Sequence, residues 1–182
     1  MRARTVVLIA TLTALLAACT ERTNYNTLLI QADSLMNLQP DSALHALESI
    51  PTGRLNTETD RAYHALLLTQ ARDKNYIRQT DDSLIQVAVR YYDSMGDATM
   101  KARAYYYWGS VCRDMNKIKK SISNFLIANI LAKEIKDISL QSRICNNIGY
   151  LYYAQDLNEQ ADSIYREAEQ IAILLGDSLL QI

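Results

Sequence analysis

The chain has 182 residues, 19 of them basic and 20 acidic, for a formal net charge of −1. It has no cationic excess to neutralise phosphates, which argues against a nucleic-acid partner. Hydrophobic side chains make up 49% of it, with only five Gly and two Pro and no run of strand-like alternation, so the composition predicts an all-α protein long enough to bury a core without disulfide staples.

At the start, MRARTVVLIATLTALLAAC sets Arg2 and Arg4 ahead of an apolar run from Val6 to Leu16. That run is too short to span a bilayer as a mature helix and reads as a secretory signal over residues 1–18. Its end, Leu16-Ala17-Ala18-Cys19, resembles the lipobox of bacterial lipoproteins. The resemblance implies cleavage before Cys19 and a lipid on Cys19, and several acyl chains hold a protein stably where one is marginal. Losing residues 1–18 removes two arginines and no acid, taking the formal charge from −1 to −3. Residues 19–24 form a tether of at most about 17 Å. Thr20, which is not Asp, implies by the sorting pattern of such lipoproteins an outer-membrane address facing the periplasm. No second apolar stretch reaches membrane-spanning length.

Residues 25–51, containing LLIQADSLMNLQPDSALHALESIP, predict a short opening hairpin broken at Pro40, capped by Asp41 or Ser42 and stopped by Pro51. Residues 57–96 predict a second hairpin, and 97–136 and 137–176 two more. In MGDAT and LLGDS, Gly96 and Gly176 are placed to end helices in the left-handed conformation, and Asp97 and Asp177 to cap the next ones. In IKDIS, Asp137 keeps the cap but Lys136 takes the glycine slot; a side chain there costs roughly 1 kcal/mol and predicts the least regular connection. Residues 177–182 begin a further helix.

These hairpins repeat. Gly109 and Gly149 lie 40 residues apart, as do Phe125 and Tyr165, and Ala88, Ala128, Ala168 and Asp97, Asp137, Asp177 form triplets at the same interval. The helix around AYHALLLTQARDKN fits offsets from 40 to 42. GYLYYAQDLNEQADSIYREA resembles a tetratricopeptide repeat: Ile148, Gly149, Tyr152, Ala161 and Tyr165 fall on its Leu, Gly, Tyr, Ala and Phe positions, and Trp108, Gly109, Phe125 and Ala128 match in the copy before. Departures are Cys112 for the Tyr, Ser121 for the Ala and Cys145 for the Trp. The family period is about 34 residues, and the additional six lengthen the second helix by about 9 Å.

The resemblance implies a right-handed α-solenoid of antiparallel hairpins, in which Gly109 and Gly149 let neighbouring helices touch and Phe125 and Tyr165 fill the space between successive repeats. It also implies that the first helix of each hairpin lines a concave groove for a protein or peptide partner. The groove positions fall on Arg103, Tyr106, Tyr107, Ser110 and Arg113 in one copy and on Arg143, Asn146, Asn147, Tyr150 and Tyr153 in the next. Arginines one repeat apart and asparagine amides suit an extended peptide carrying a carboxylate; of the chaperone-type carboxylate clamp, only Asn147 matches.

Catalytic constellations are missing. His45 and His64 are the only histidines and have no partner at metal-ligand or nucleophile spacing, so neither an enzyme nor a cofactor is expected. Cys112 and Cys145 fall roughly 10 Å out of axial step, too far for a bridge, and read as small buried apolar residues. The basic run KIKK at 117–120 reads as a solvated turn. The expectation is a lipid-anchored scaffold that binds a protein or peptide at the bacterial envelope. The alternatives are the sensory region of a longer envelope regulator or an outer-membrane assembly factor.

Overall fold

A computed structural model of the chain describes residues 25–179; the signal, Cys19, the tether and residues 180–182 lie outside the described residues. The described part holds eight α-helices and one 3-10 turn: α1 (Tyr25–Leu35), α2 (Pro40–Glu48), η1 (Thr52–Arg54), α3 (Glu58–Lys74), α4 (Ser83–Met95), α5 (Ala98–Asp114), α6 (Ile118–Glu134), α7 (Ile138–Tyr153) and α8 (Asn158–Leu179). None is long and apolar enough to cross a membrane. Consecutive helices pack on one another along the chain.

Two kinds of capping set the boundaries. At the starts, Asp97 accepts from Met100 N at 3.0 Å and Asp137 from Leu140 N at 2.8 Å, and Thr57 caps α3 by accepting from Asp60 N at 3.0 Å; each satisfies one of the amides a helix start leaves orphaned. Pro40 takes the first turn of α2, which moves the cap to Gln39. That corrects the expected Asp41 or Ser42. Proline's fixed φ suits the first helical position, so the residue before it must be the one outside the helix.

At the ends, Gly96 is left-handed with φ 74°, as expected. Lys136 adopts the same conformation at φ 57°, and Asp137 N reaches back to Ala132 O at 2.9 Å, closing the turn by which helices commonly end. The irregular connection expected there does not occur. The same closure recurs at Asn116 (φ 59°), Asp156 (φ 60°) and Tyr76 (φ 56°), where Lys117, Leu157 and Ile77 donate to Cys112, Tyr152 and Arg72 at 2.8, 3.1 and 2.9 Å. These backbone bonds hold side-chain-bearing residues left-handed at roughly 1–2 kcal/mol each. Tyr76, Asn116 and Asp156 are spaced 40 apart, which fixes the offset of the second hairpin at 40.

The stop expected at Gly176 is absent, because α8 runs on to Leu179. Glycine permits a left-handed turn without imposing it, and inside a helix it costs only about 1 kcal/mol.

The helix-interior glycines have a specific cause. A Cβ on Gly109 would lie 2.7 Å from Phe125 Cδ1, and one on Gly149 would lie 2.6 Å from Tyr165 Cε1. Each aromatic ring of α6 or α8 therefore lies flush on the backbone of the preceding helix, within its own hairpin, and the fully buried Phe125 shares one core cluster with Leu140, Ile144 and Ile148 of the next. One period upstream the pair is Thr69 and Ile85, both buried. A larger residue in the glycine slot goes with a smaller one in the aromatic slot, as packing at constant volume requires. Ala88, Ala128 and Ala168 are all buried. One core cluster runs from α3 to α7 and a second joins α1, α2 and the other side of α3.

Candidate functional site

Within each hairpin the first helix packs beside its counterpart in the next: α1 lies against α3 and α3 against α5. From α5 to α7 the link is made by side chains, with Asn147 donating to the Tyr106 hydroxyl at 3.3 Å. Across this wall opens a cleft of about 500 Å³, lined by Asp33 of α1, Gln70 and Lys74 of α3, Arg103, Tyr106 and Tyr107 of α5 and Arg143 of α7.

One end of the cleft is closed by an internal ion pair. Arg103 donates to both carboxylate oxygens of Asp33, at 2.8 and 3.2 Å, and to Gln70 Oε1 at 2.8 Å. The Tyr63 hydroxyl adds a 2.7 Å bond to Asp33. Burial alone would raise the Asp33 carboxyl, but the bonds from Arg103, its charge and the Tyr63 hydroxyl hold it below the usual carboxylate value. Burial and the adjacent Asp33 charge push the Tyr63 phenol up.

Outside this cleft, Arg113 reaches Asp73 at 3.2 Å and Asp114 at 3.3 Å and also bonds Asn147 Oδ1. Here burial prevails over the Arg113 charge, so the Asp73 carboxyl is raised. Arg113, Asp73 and Asp114 line a second recess of about 400 Å³ together with Tyr76 and Tyr150.

Arg143 differs from the other two arginines. Its guanidinium stacks on the Tyr106 ring, Cζ 5.0 Å from the centroid, and its Nε is buried without a hydrogen-bond partner. Burial raises the Tyr106 and Tyr107 phenols, which keeps both neutral donors.

The ten positions expected to face a partner thus divide. Tyr106, Tyr107 and Ser110 are buried, and the two tyrosines reach the cleft only along its floor. Arg103, Arg113 and Asn147 are bonded within the wall. Arg143 lines the cleft, and Asn146, Tyr150 and Tyr153 stand exposed on α7. The sequence reading missed Asp33, Gln70, Lys74 and Asp73. Asp73 precedes Arg113 by one period on the same helix face, a signal that was available; Asp33 and Arg103 are 70 apart, which no multiple of the period connects.

None of the remaining candidates lines the cleft. His64 is buried, 3.0 Å from Leu47 O, and burial lowers its pKa; His45 is exposed. Cys112 and Cys145 are free and buried, and burial raises both thiols. Of the basic run, Lys120 is bonded to Asp82 at 2.8 Å and lies over the Trp108 ring at 4.6 Å. Its hydrogen bond is the main cause that lowers the Asp82 carboxyl to about 2. Among the described residues, no group of three or more His, Cys, Asp or Glu is placed to hold a metal ion.

No protein-family model matches the chain, and no curated protein matches it.

Proposed function

We propose that the protein is a lipid-anchored scaffold. Cys19 carries the lipid, and a right-handed α-solenoid of tetratricopeptide type presents its inner wall to a protein or peptide partner at the bacterial envelope. The 40-residue spacing of the left-handed turns and the pairing of Gly109 with Phe125 and Gly149 with Tyr165 support the repeat reading. The observation that carries the binding role is the cleft across α1, α3, α5 and α7. It is polar and spans four helices, and at Arg143 it keeps a guanidinium that no acid of the described residues neutralises. Wide, shallow recesses lined by tyrosine, arginine and asparagine suit extended chains, whose backbone amides need partners along their length.

Affinity capture from an envelope extract tests this reading, with the full chain and its Arg143→Glu variant side by side. Because Arg103 holds Asp33, Arg143 alone is changed. The variant is expected to keep the helical circular dichroism and to lose the partner. Retention of the same partner at equal yield would sink the assignment.

A further inference from the structure

The outer face of α6 departs from the repeat. Its buried residues, Ser121, Asn124, Phe125, Ala128 and Ala132, define the side turned to the core, and a helix packed in this way ordinarily shows polar groups on the other side. There instead stand Leu126, Ile127 and Ile130, exposed at 47, 38 and 69%. One period earlier the places of Leu126 and Ile130 hold Gln86 and Arg90, and one period later Arg166 and Gln170. Polar side chains therefore serve α4 and α8 at these places, and the hairpin itself does not call for apolar ones.

Positive charge is concentrated on the same helix. Residues 117–136 carry five lysines and one acid, Glu134, in a chain of formal charge −1. Lys120 and Lys133 are paired with Asp82 and Glu167. Lys117, Lys119 and Lys136 are exposed and make no ion pair among the described residues. Lys119 stands two turns before Leu126, on the same face. Exposed acids on the neighbouring α8, Glu159, Asp162 and Glu169, limit the basic surface to α6.

We propose that the outer face of α6 rests on an anionic lipid bilayer, with Leu126, Ile127 and Ile130 entering the headgroup boundary and Lys117, Lys119 and Lys136 lying among the phosphates. Apolar side chains bordered by lysine are the makeup of helices that lie in the plane of a membrane surface. Lysine stems run along apolar surface while their ammonium groups stay with polar neighbours, and an anionic leaflet attracts each of them. A protein-docking core is instead rich in aromatic residues and Arg and poor in Lys; α6 has no Arg, and its single aromatic residue, Phe125, is buried. The proposal rests on the lipid-anchored reading for the delivery of this face to the bilayer. Contact through α6, on the side opposite α5, leaves the cleft open away from the membrane.

The test places an environment-sensitive fluorescent amino acid at position 130, and separately at 170 on α8. The full chain is purified from bacterial membranes and reconstituted into vesicles of phosphatidylethanolamine with phosphatidylglycerol, or of phosphatidylcholine alone. A blue shift at 130 in the anionic vesicles only, with none at 170, is expected. It should shrink in about 1 M salt, where charges are screened beyond about 3 Å. Lys117→Glu together with Lys119→Glu should lower the docked-to-free ratio at least tenfold. Acids suit a helix N-terminus, so this variant keeps its helical circular dichroism.

An unshifted probe at 130, an equal shift in phosphatidylcholine or an equal shift at 170 would overturn the proposal. So would a shift without vesicles that grows with protein concentration, the mark of a second copy, or one that needs envelope proteins in place of lipid. Failure of the anchored reading is read separately, by mass spectrometry that finds Cys19 without a lipid; a shift at 130 in that same chain would still uphold the contact through α6.

Discussion

Gly109→Ala isolates the contact on which the hairpin packing turns. The added Cβ would meet Phe125 Cδ1 and Cε1 at 2.7 Å and Cγ at 2.9 Å, well inside contact distance. Cγ sits at the base of the ring, so the whole side chain must move, and Phe125 is 0% exposed with the Tyr106 ring 5.5 Å away. Overpacking of this kind costs typically about 2 kcal/mol, offset by about 1 kcal/mol of gained helix propensity. A net loss of about 1 kcal/mol follows, or roughly 2–4 °C in melting temperature for a chain this size. Gly149→Ala is the internal control. Its Cβ would meet Tyr165 as closely, but that ring is 40% exposed and has room to swing outward. There the propensity gain and the displacement nearly cancel, and the change is close to zero. Urea unfolding followed by circular dichroism reads both variants, with an unchanged m-value confirming that the midpoint shift reports stability. In the Phe125→Leu background, Gly109→Ala should lose most of its cost. If Gly109→Ala instead stabilises the protein by the full propensity increment, the flush packing of ring on backbone is refuted.

Other perturbations address other links. Arg103→Met strands the Asp33 carboxylate in a partly buried site and is expected to cost about 2 kcal/mol; Asp33→Asn added to it should cost little more, which a double-mutant cycle in urea measures. His64 is held neutral, its pKa lowered first by burial. The unfolded chain therefore takes up a proton near pH 6.5 before the native one does, so this contribution to stability is full above that value and is lost as the pH falls below it. His64→Gln should flatten the decline between about pH 7 and 5, seen in melting temperatures across that range. Asp82, lowered to about 2 mainly by its hydrogen bond from Lys120, stabilises the fold above the ordinary carboxylate range and stops doing so as the pH falls towards 2. Asp82→Asn should remove that acid-side loss from a pH-dependent unfolding curve. Tyr76 is 96% exposed and left-handed, so Tyr76→Gly gives up almost no buried area and is expected to raise stability by up to about 1 kcal/mol.

Legibility followed the range of the forces involved. Caps at Asp97 and Asp137 and the left-handed end at Gly96 are local, set by residues within one turn, and they were readable. The glycines and alanines of the repeat were readable because the same packing recurs every 40 residues. The turns at Tyr76, Asn116, Lys136 and Asp156 were not, because backbone bonds made there overcome a side-chain preference that composition alone registers. Gly176 failed for the converse reason, since a residue that permits a turn does not require one. The Asp33 to Arg103 pair joins the opening hairpin, which departs from the period, to the third, and only the folded wall brings the two together. Burial of Tyr106, Tyr107 and Ser110 was likewise hidden, because positions on the inner face of a helix are covered or open according to what the next helix presents.

Site-specific photo-crosslinking in cells tests the central claim most directly. A benzophenone side chain is placed at Asn146, exposed on α7, and separately at Ile130, exposed on α6. Adducts to a partner from position 146 that fade with Arg143→Gln, with none from 130, are the predicted result. Adducts from 130 alone would contradict the account.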